Sequence, residues 1–151
     1  MPQVSLRVRV PFVDIDSSQR IHYTAMFRYM ELAEHELMRR IGMPYATTLQ
    51  GIAYPRAHLS CDFRGAIVFD DQLVIDARVE RVGASSWTVG FVARHLCGPG
   101  QPDVTPGEVQ PGEVVAEGRM VIVAMDPSTE RSTVLPEDLR RALLDAEASR
   151  S

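Results

Sequence analysis

Between Val4 and Phe12 apolar residues fall on every second position: Val4, Leu6, Val8, Val10 and Phe12 on one side, Ser5, Arg7 and Arg9 on the other. A period of two predicts a strand with one buried face. Pro11 donates no ladder hydrogen bond, so it places this strand at a sheet edge or marks its exit. The polar stretch from Asp14 to Arg20 reads as a loop. From Thr24 the period changes to steps of three and four, through Met26, Met30, Ala33, Leu37 and Ile41, with Phe27 widening the stripe. That predicts a helix of about four to five turns. Thr24 suits its N-cap, Arg39 and Arg40 suit its negative end, and Gly42 with Pro44 stops it.

Segments near 53–64, 71–82, 86–96 and 113–125 read as strands, joined by turns such as Phe69-Asp70-Asp71 and Val82-Gly83-Ala84. Residues 97–112 are dense in Gly and Pro, and Pro-Gly-Glu-Val occurs at 106–109 and again at 111–114. A long hairpin loop accounts for this stretch without a functional repeat. Asp126-Pro127 turns the chain, and Pro136-Glu137-Asp138 opens a short final helix. Strand, long helix, then a run of antiparallel strands is α+β: one sheet with one helix packed on it. At 151 residues (1–151) a single domain is expected.

Composition narrows the chemistry. With 45% hydrophobic and 24% charged residues the chain matches neither collagen-like, disordered nor disulfide-scaffold proteins. All 16 basic residues are arginine, so a Schiff-base lysine and a Walker lysine are both excluded. A net charge of -4 argues against a nucleic-acid partner, although a small arginine patch still suits a phosphate. No apolar run approaches the roughly 18 to 20 residues of a membrane span, and MPQVSLRVRV lacks the apolar core of a signal peptide. A cytoplasmic location is therefore expected, with Cys61 and Cys97 as reduced, buried thiols rather than a disulfide.

Asp14 and Asp16 lie two apart just before the long helix, facing the partial positive charge of its free N–H groups. A carboxylate there either caps the loop or helix, or stands beside backbone donors that polarise a substrate carbonyl. The cluster Glu31, Glu34, His35 and Glu36 holds one histidine only, so a His-x-x-x-His metal pair is absent. It reads as a solvated or interface-facing helix side, with Glu31 pairing Arg28 or His35. His58 and Asp62 share one strand face and Cys61 the other, so no metal is expected there either. Cys61 has no neighbouring base and a nucleophilic role is not supported.

Asp14-Ile15-Asp16-Ser17-Ser18-Gln19-Arg20-Ile21-His22-Tyr23, followed by Phe27-Arg28-Tyr29-Met30-Glu31, resembles the signature of the 4-hydroxybenzoyl-CoA thioesterase-like branch of the hotdog fold. Phe69-Asp70-Asp71-Gln72-Leu73, Met125-Asp126-Pro127-Ser128-Thr129 and Leu135-Pro136-Glu137-Asp138-Leu139 extend the resemblance along the chain. It implies an antiparallel sheet wrapped round one long central helix, and hydrolysis of an acyl- or aroyl-CoA thioester. It carries the catalytic carboxylate onto Asp16 and the oxyanion donor onto the backbone amide of Tyr23, and it puts Met26 at the acyl pocket. It further implies a homodimer or homotetramer with the active site between subunits. Coenzyme A would be part of the substrate, and no separate cofactor is expected. Gln19 stands where the family has Gly, Ser17 where Pro is common, and Ala25 and Met26 where Asn and Tyr are frequent. The last two changes remove polar groups near the acyl pocket, which makes a fatty acyl group as acceptable as an aryl one. For the CoA phosphates the turn Gly83-Ala84-Ser85-Ser86 with Arg81 offers amides, hydroxyls and a cation, and Arg64 is a further contact. His22 reads as a loop residue or pocket wall. Two rival functions stay open: a hotdog enoyl-CoA hydratase using Asp16 and His22, and a non-catalytic acyl-CoA or acyl-carrier-protein binding module.

Overall fold

A computed structural model describes residues 3–48, 51–105 and 107–149. Strand β1 (Val4–Arg9) is followed by a 3-10 turn at Phe12–Asp14, the long helix α1 (Ala25–Arg40) and a single helical turn α2 (Tyr45–Thr48). Then come β2 (Arg56–Phe63), β3 (Gln72–Val82), β4 (Ser86–Cys97), β5 (Val114–Val123), the short pair β6 (Met125–Asp126) and β7 (Arg131–Ser132), and helix α3 (Glu137–Ser149). Five strands form one sheet in the order β1-β3-β4-β5-β2, every neighbouring pair antiparallel. This α+β arrangement, with α1 packed against β1 and β3, is the hotdog fold that the resemblance implied.

Helix α1 buries Met26, Tyr29, Met30, Ala33, Leu37 and Met38 along one face. Facing it are the inward positions of the sheet: Leu73, Ile75, Ala77 and Val79 of β3, Val89, Phe91 and Ala93 of β4, and Ala116, Met120 and Ile122 of β5. Burial of a side chain such as Leu37 contributes at most about 1.5–3 kcal/mol. Met30 of the helix packs tightly on β5, where a Cβ on Gly118 would lie 2.6 Å from its Cε and 2.9 Å from the Ser60 carbonyl oxygen. Gly118 is therefore present for close approach rather than for a turn.

Several expectations are corrected. The first strand lies at the sheet edge and ends at Arg9, as Pro11 indicated, but Phe12 is not on its buried face: the 3-10 turn swings it out to 71% exposure against Phe69. The segment near 53–64 becomes a strand only at Arg56, with Ala53 making an isolated bridge to Met125. Thr24 flanks α1 without a side-chain cap bond. Glu34, read as part of a solvated or interface-facing helix side, is fully buried: Arg56 Nη2 holds both its oxygens at 2.7 and 2.8 Å, and the Tyr45 hydroxyl donates to it. Arg28 pairs with Asp14, not Glu31. Cys61 and Cys97 are free thiols, each half-buried rather than buried. The Gly/Pro-rich loop is tied down on the ends of β1 and β3: Gly100 N–H donates to Asp70 at 2.7 Å, and Arg9 donates to the Gln101 carbonyl and to Asp103. Pro106, in the first Pro-Gly-Glu-Val copy, lies outside the described residues.

Replacing Gly118 with alanine should overpack the Met30 contact and cost about 1–3 kcal/mol. A fall in denaturation midpoint, followed by the fluorescence of the single, buried Trp87, would register it; an unchanged midpoint would show that Met30 is free to move aside.

Candidate active site

The chain between β1 and α1 is folded tightly on itself. Ile15 and Ile21 form an antiparallel bridge, the Asp16 amide donates to the Arg20 carbonyl at 2.9 Å, and the Gln19 amide donates to the Asp16 carbonyl at 3.0 Å. Closing so short a loop demands one left-handed residue, and Gln19 supplies it with φ 66°. The backbone thus takes a glycine-type path without glycine, at a cost of about 1–2 kcal/mol. The Ile21 amide donates to the Ile67 carbonyl at 2.9 Å, which anchors this loop at the end of the sheet where β3 begins.

Asp16 stands partly exposed in that loop. Its Oδ1 accepts the Ser18 amide at 2.8 Å and the Ser18 hydroxyl at 2.5 Å, while Oδ2 has no hydrogen-bond partner among the described residues. The Ser18 hydroxyl, then the Ser18 amide, stabilises the ionised form and holds the Asp16 carboxyl below its ordinary pKa. One oxygen is thus anchored and the other is open.

Tyr23 lies at the start of α1, with its side chain 65% exposed and stacked on the His22 ring at 4.4 Å. The His22 carbonyl accepts the Ala25 amide at 2.9 Å. In a trans peptide the following N–H points the opposite way, so the Tyr23 amide is directed away from the helix body. It has no hydrogen-bond partner among the described residues. His22 Nδ1 lies 3.2 Å from the Thr24 amide and 2.7 Å from the Thr24 hydroxyl. An amide can only donate, so Nδ1 is the acceptor and the ring proton resides on Nε2. No hydrogen bond joins His22 to Asp16 among the described residues.

Asp14, the other acid of the pair, is 3% exposed. The Tyr29 hydroxyl donates to its Oδ2 at 2.6 Å, Arg28 donates to its Oδ1, and its carbonyl accepts the His22 amide at 2.7 Å. Burial, followed by the bond to Asp14, raises the Tyr29 pKa. This trio was missed in the sequence, although a signal existed. Tyr29 falls on the apolar stripe of the helix, where a hydroxyl needs a partner.

The remaining candidates scatter. Met26 is buried under α1 and, with Met30, Cys61, Phe91 and Gly118, lines a crevice too tight for water. Arg64 lies at the same end of the sheet as Asp16 but pairs with Glu117 at 2.7 Å. Arg81, Ser85 and Ser86 belong to the β3–β4 turn at the opposite end of β3, roughly 30 Å away at 3.3 Å per residue. Gly83 in that turn donates its amide to the Ser86 carbonyl at 2.7 Å. Burial, then Asp62, pushes the Cys61 thiol up to about 11, away from thiolate chemistry. No group of three or more His, Cys, Asp or Glu among the described residues is arranged to hold a metal, and no described helix is long and apolar enough to cross a membrane. A cleft of about 590 Å³ opens between Arg40, Ile41 and α3, at the far end of α1 from Asp16.

The family model of the thioesterase superfamily matches residues 19–96, over half of the chain. The chain belongs to this superfamily. Thioester hydrolysis is accordingly its enzyme class. A 1,4-dihydroxy-2-naphthoyl-CoA hydrolase of Synechococcus sp. (strain CC9605) is 26% identical over 149 residues, an alignment covering 94% of this chain and 90% of that one. Among solved structures, a 1,4-dihydroxy-2-naphthoyl-CoA thioesterase from Synechocystis superposes with a TM-score of 0.76 at 14% identity, covering 93% of this chain and 95% of the other. A gentisyl-coenzyme A thioesterase gives 0.75 at 19%, covering 93% and 99%.

If Ser18 is what keeps Asp16 ionised, Ser18→Ala removes the largest of the contacts that lower its pKa. The Asp16 carboxyl, followed by NMR, should then titrate at higher pH than in the unaltered protein. An unmoved titration would assign the shift to the backbone alone.

Proposed function

We propose that this thioesterase hydrolyses an aromatic acyl-CoA, with Asp16 as nucleophile or general base and the Tyr23 amide as donor to the carbonyl oxygen. The observation that carries the reading is the pairing, at one loop–helix junction, of a carboxylate with an open oxygen and a helix-start amide without a partner. The positive end of α1 faces the oxygen on which charge develops during attack. Asp16 attacks the carbonyl carbon to give a mixed anhydride that water then hydrolyses, or it takes a proton from water that attacks directly. Either route consumes one water and yields a carboxylic acid and CoA thiol. A thiol with a pKa of about 8.5 leaves readily as thiolate, so no strong general acid is required. The chemistry draws on no cofactor besides the CoA of the substrate.

The aromatic acyl group is suggested by the substrates named for the relatives, naphthoyl and gentisyl thioesters. Hydratase chemistry is disfavoured by His22, whose Nδ1 is occupied by Thr24 and whose other nitrogen carries the proton. One feature supports a homodimer or homotetramer with the site at a subunit interface. Among the described residues, strand β2 pairs with β5 alone and its outer edge has no strand partner, beside the exposed Leu59 and Phe63. Arg81, Ser85 and Ser86 stand at the other end of β3 from the Asp16 loop, roughly 30 Å along the strand at 3.3 Å per residue.

Thiol release should be measured on 1,4-dihydroxy-2-naphthoyl-CoA, benzoyl-CoA and palmitoyl-CoA. The two aroyl thioesters should be cleaved faster than palmitoyl-CoA, and Asp16→Asn should lower turnover at least about 100-fold with the fold intact. Near-normal hydrolysis by Asp16→Asn would refute the site. Saturable binding with no thiol released from any of the three would instead favour a binding module. The paired change Leu59→Glu and Phe63→Glu should yield a monomer in sedimentation that has lost activity; an active monomer would contradict the interface site.

A further inference from the structure

The acid that the proposed chemistry leaves unused is the better buried of the two. Asp14 joins three pieces of chain at once. Its carboxylate is held by Tyr29 at 2.6 Å and by Arg28, both in the first two turns of α1. Its carbonyl holds the His22 amide at 2.7 Å, immediately before Tyr23. Two residues further along its own strand of the loop stands Asp16, across the Ile15–Ile21 bridge. Arg28, 58% exposed, places its guanidinium carbon 6.0 Å from the Tyr29 ring centre.

We propose that Asp14 is the positioning residue of this site: by tying the loop to α1 through Tyr29 and Arg28, and to His22 through its carbonyl, it sets where the Asp16 carboxylate stands relative to the Tyr23 amide. The inference rests on the assignment of Asp16 and Tyr23 made above. A buried carboxylate with two side-chain donors brings little net stability, because desolvation offsets the attraction. What it fixes is geometry. His22 is held through both of its backbone groups, its N–H by the Asp14 carbonyl and its carbonyl by the Ala25 N–H, and across the trans peptide the Tyr23 N–H points opposite to that fixed carbonyl. Loosening the first of these lets the amide and the carboxylate drift apart. In a reaction that depends on orientation, a misplacement of about 1 Å costs on the order of 100-fold in rate.

The test is thiol release from 1,4-dihydroxy-2-naphthoyl-CoA by Asp14→Asn, Tyr29→Phe, Asp16→Asn and the Asp14→Asn/Asp16→Asn pair, each assayed well below its melting temperature. Asp14→Asn should lower kcat about 10- to 100-fold with KM within about threefold, and Tyr29→Phe should lower kcat by a smaller factor. The double variant should be no slower than Asp16→Asn alone, because a group that acts through Asp16 has nothing left to act on. A folded Asp14→Asn or Tyr29→Phe enzyme with unchanged kcat, or a double variant whose losses multiply, overturns the proposal while leaving Asp16 in place. Should Asp14→Asn not fold, Tyr29→Phe decides alone, since it removes one hydroxyl and keeps the ring. Full turnover by Asp16→Asn would be a different failure, that of the site assignment itself, and would take Asp14 with it.

Discussion

Everything in the molecule depends on how closely α1 lies on the sheet. Small residues on the inward face, Ala93, Ala116 and Gly118, let Met26 and Met30 reach the strands, and Gly118 has no room for even a methyl group beneath Met30. That depth fixes the axis of the helix. The axis in turn fixes where its first free amides emerge, and the site is built on those amides. A helix a fraction of an ångström higher would carry Tyr23 away from the loop that holds Asp16.

The carboxylates divide the labour by burial. Asp14 and Glu34 are withdrawn from solvent and matched by arginine and tyrosine, Arg28 with Tyr29 and Arg56 with Tyr45. The first pair ties α1 to the preceding loop, and the second ties it to α2 and the edge strand β2. Asp16 keeps contact with solvent and meets only the donors of Ser18 on one oxygen. A buried charge that is fully matched cannot react, whereas a charge stabilised from one side alone can. With no lysine in the chain, arginine supplies these pairings, and the several donors of Arg56 let Nη2 meet both Glu34 oxygens while Nη1 holds the Tyr54 carbonyl.

The loop shows how far pattern reading reaches. The segments read as strands are found as β2 to β5, and β3, β4 and β5 each carry buried positions toward α1, whereas β2 is exposed at every position but the half-buried Cys61. Alternation overran at Phe12, since nothing in a period-two count says that Pro11 will be followed by a 3-10 turn. The resemblance pointed to Asp16 and Tyr23 through their order and spacing. It left the loop's backbone path open at Gln19, which adopts the left-handed conformation despite its side chain. Asp14 passed as a cap because its partners, Tyr29 and Arg28, lie 15 and 14 residues on, and only the packed helix brings them back.

By itself the sequence determined the class of elements, the position of the long helix, the absence of lysine chemistry and the order of acid, amide and helix that marks the family. These are local properties, set by periodicity and spacing along one stretch of chain. Tertiary structure alone decided which acid is buried, that Glu34 faces inward, that the Gly/Pro-rich loop is pinned to Asp70 and Arg9, and that the serine turn sits a strand's length from the carboxylate. Each of those depends on contacts between residues distant in sequence, and their burial and charge pairing exist only once the sheet has closed on the helix.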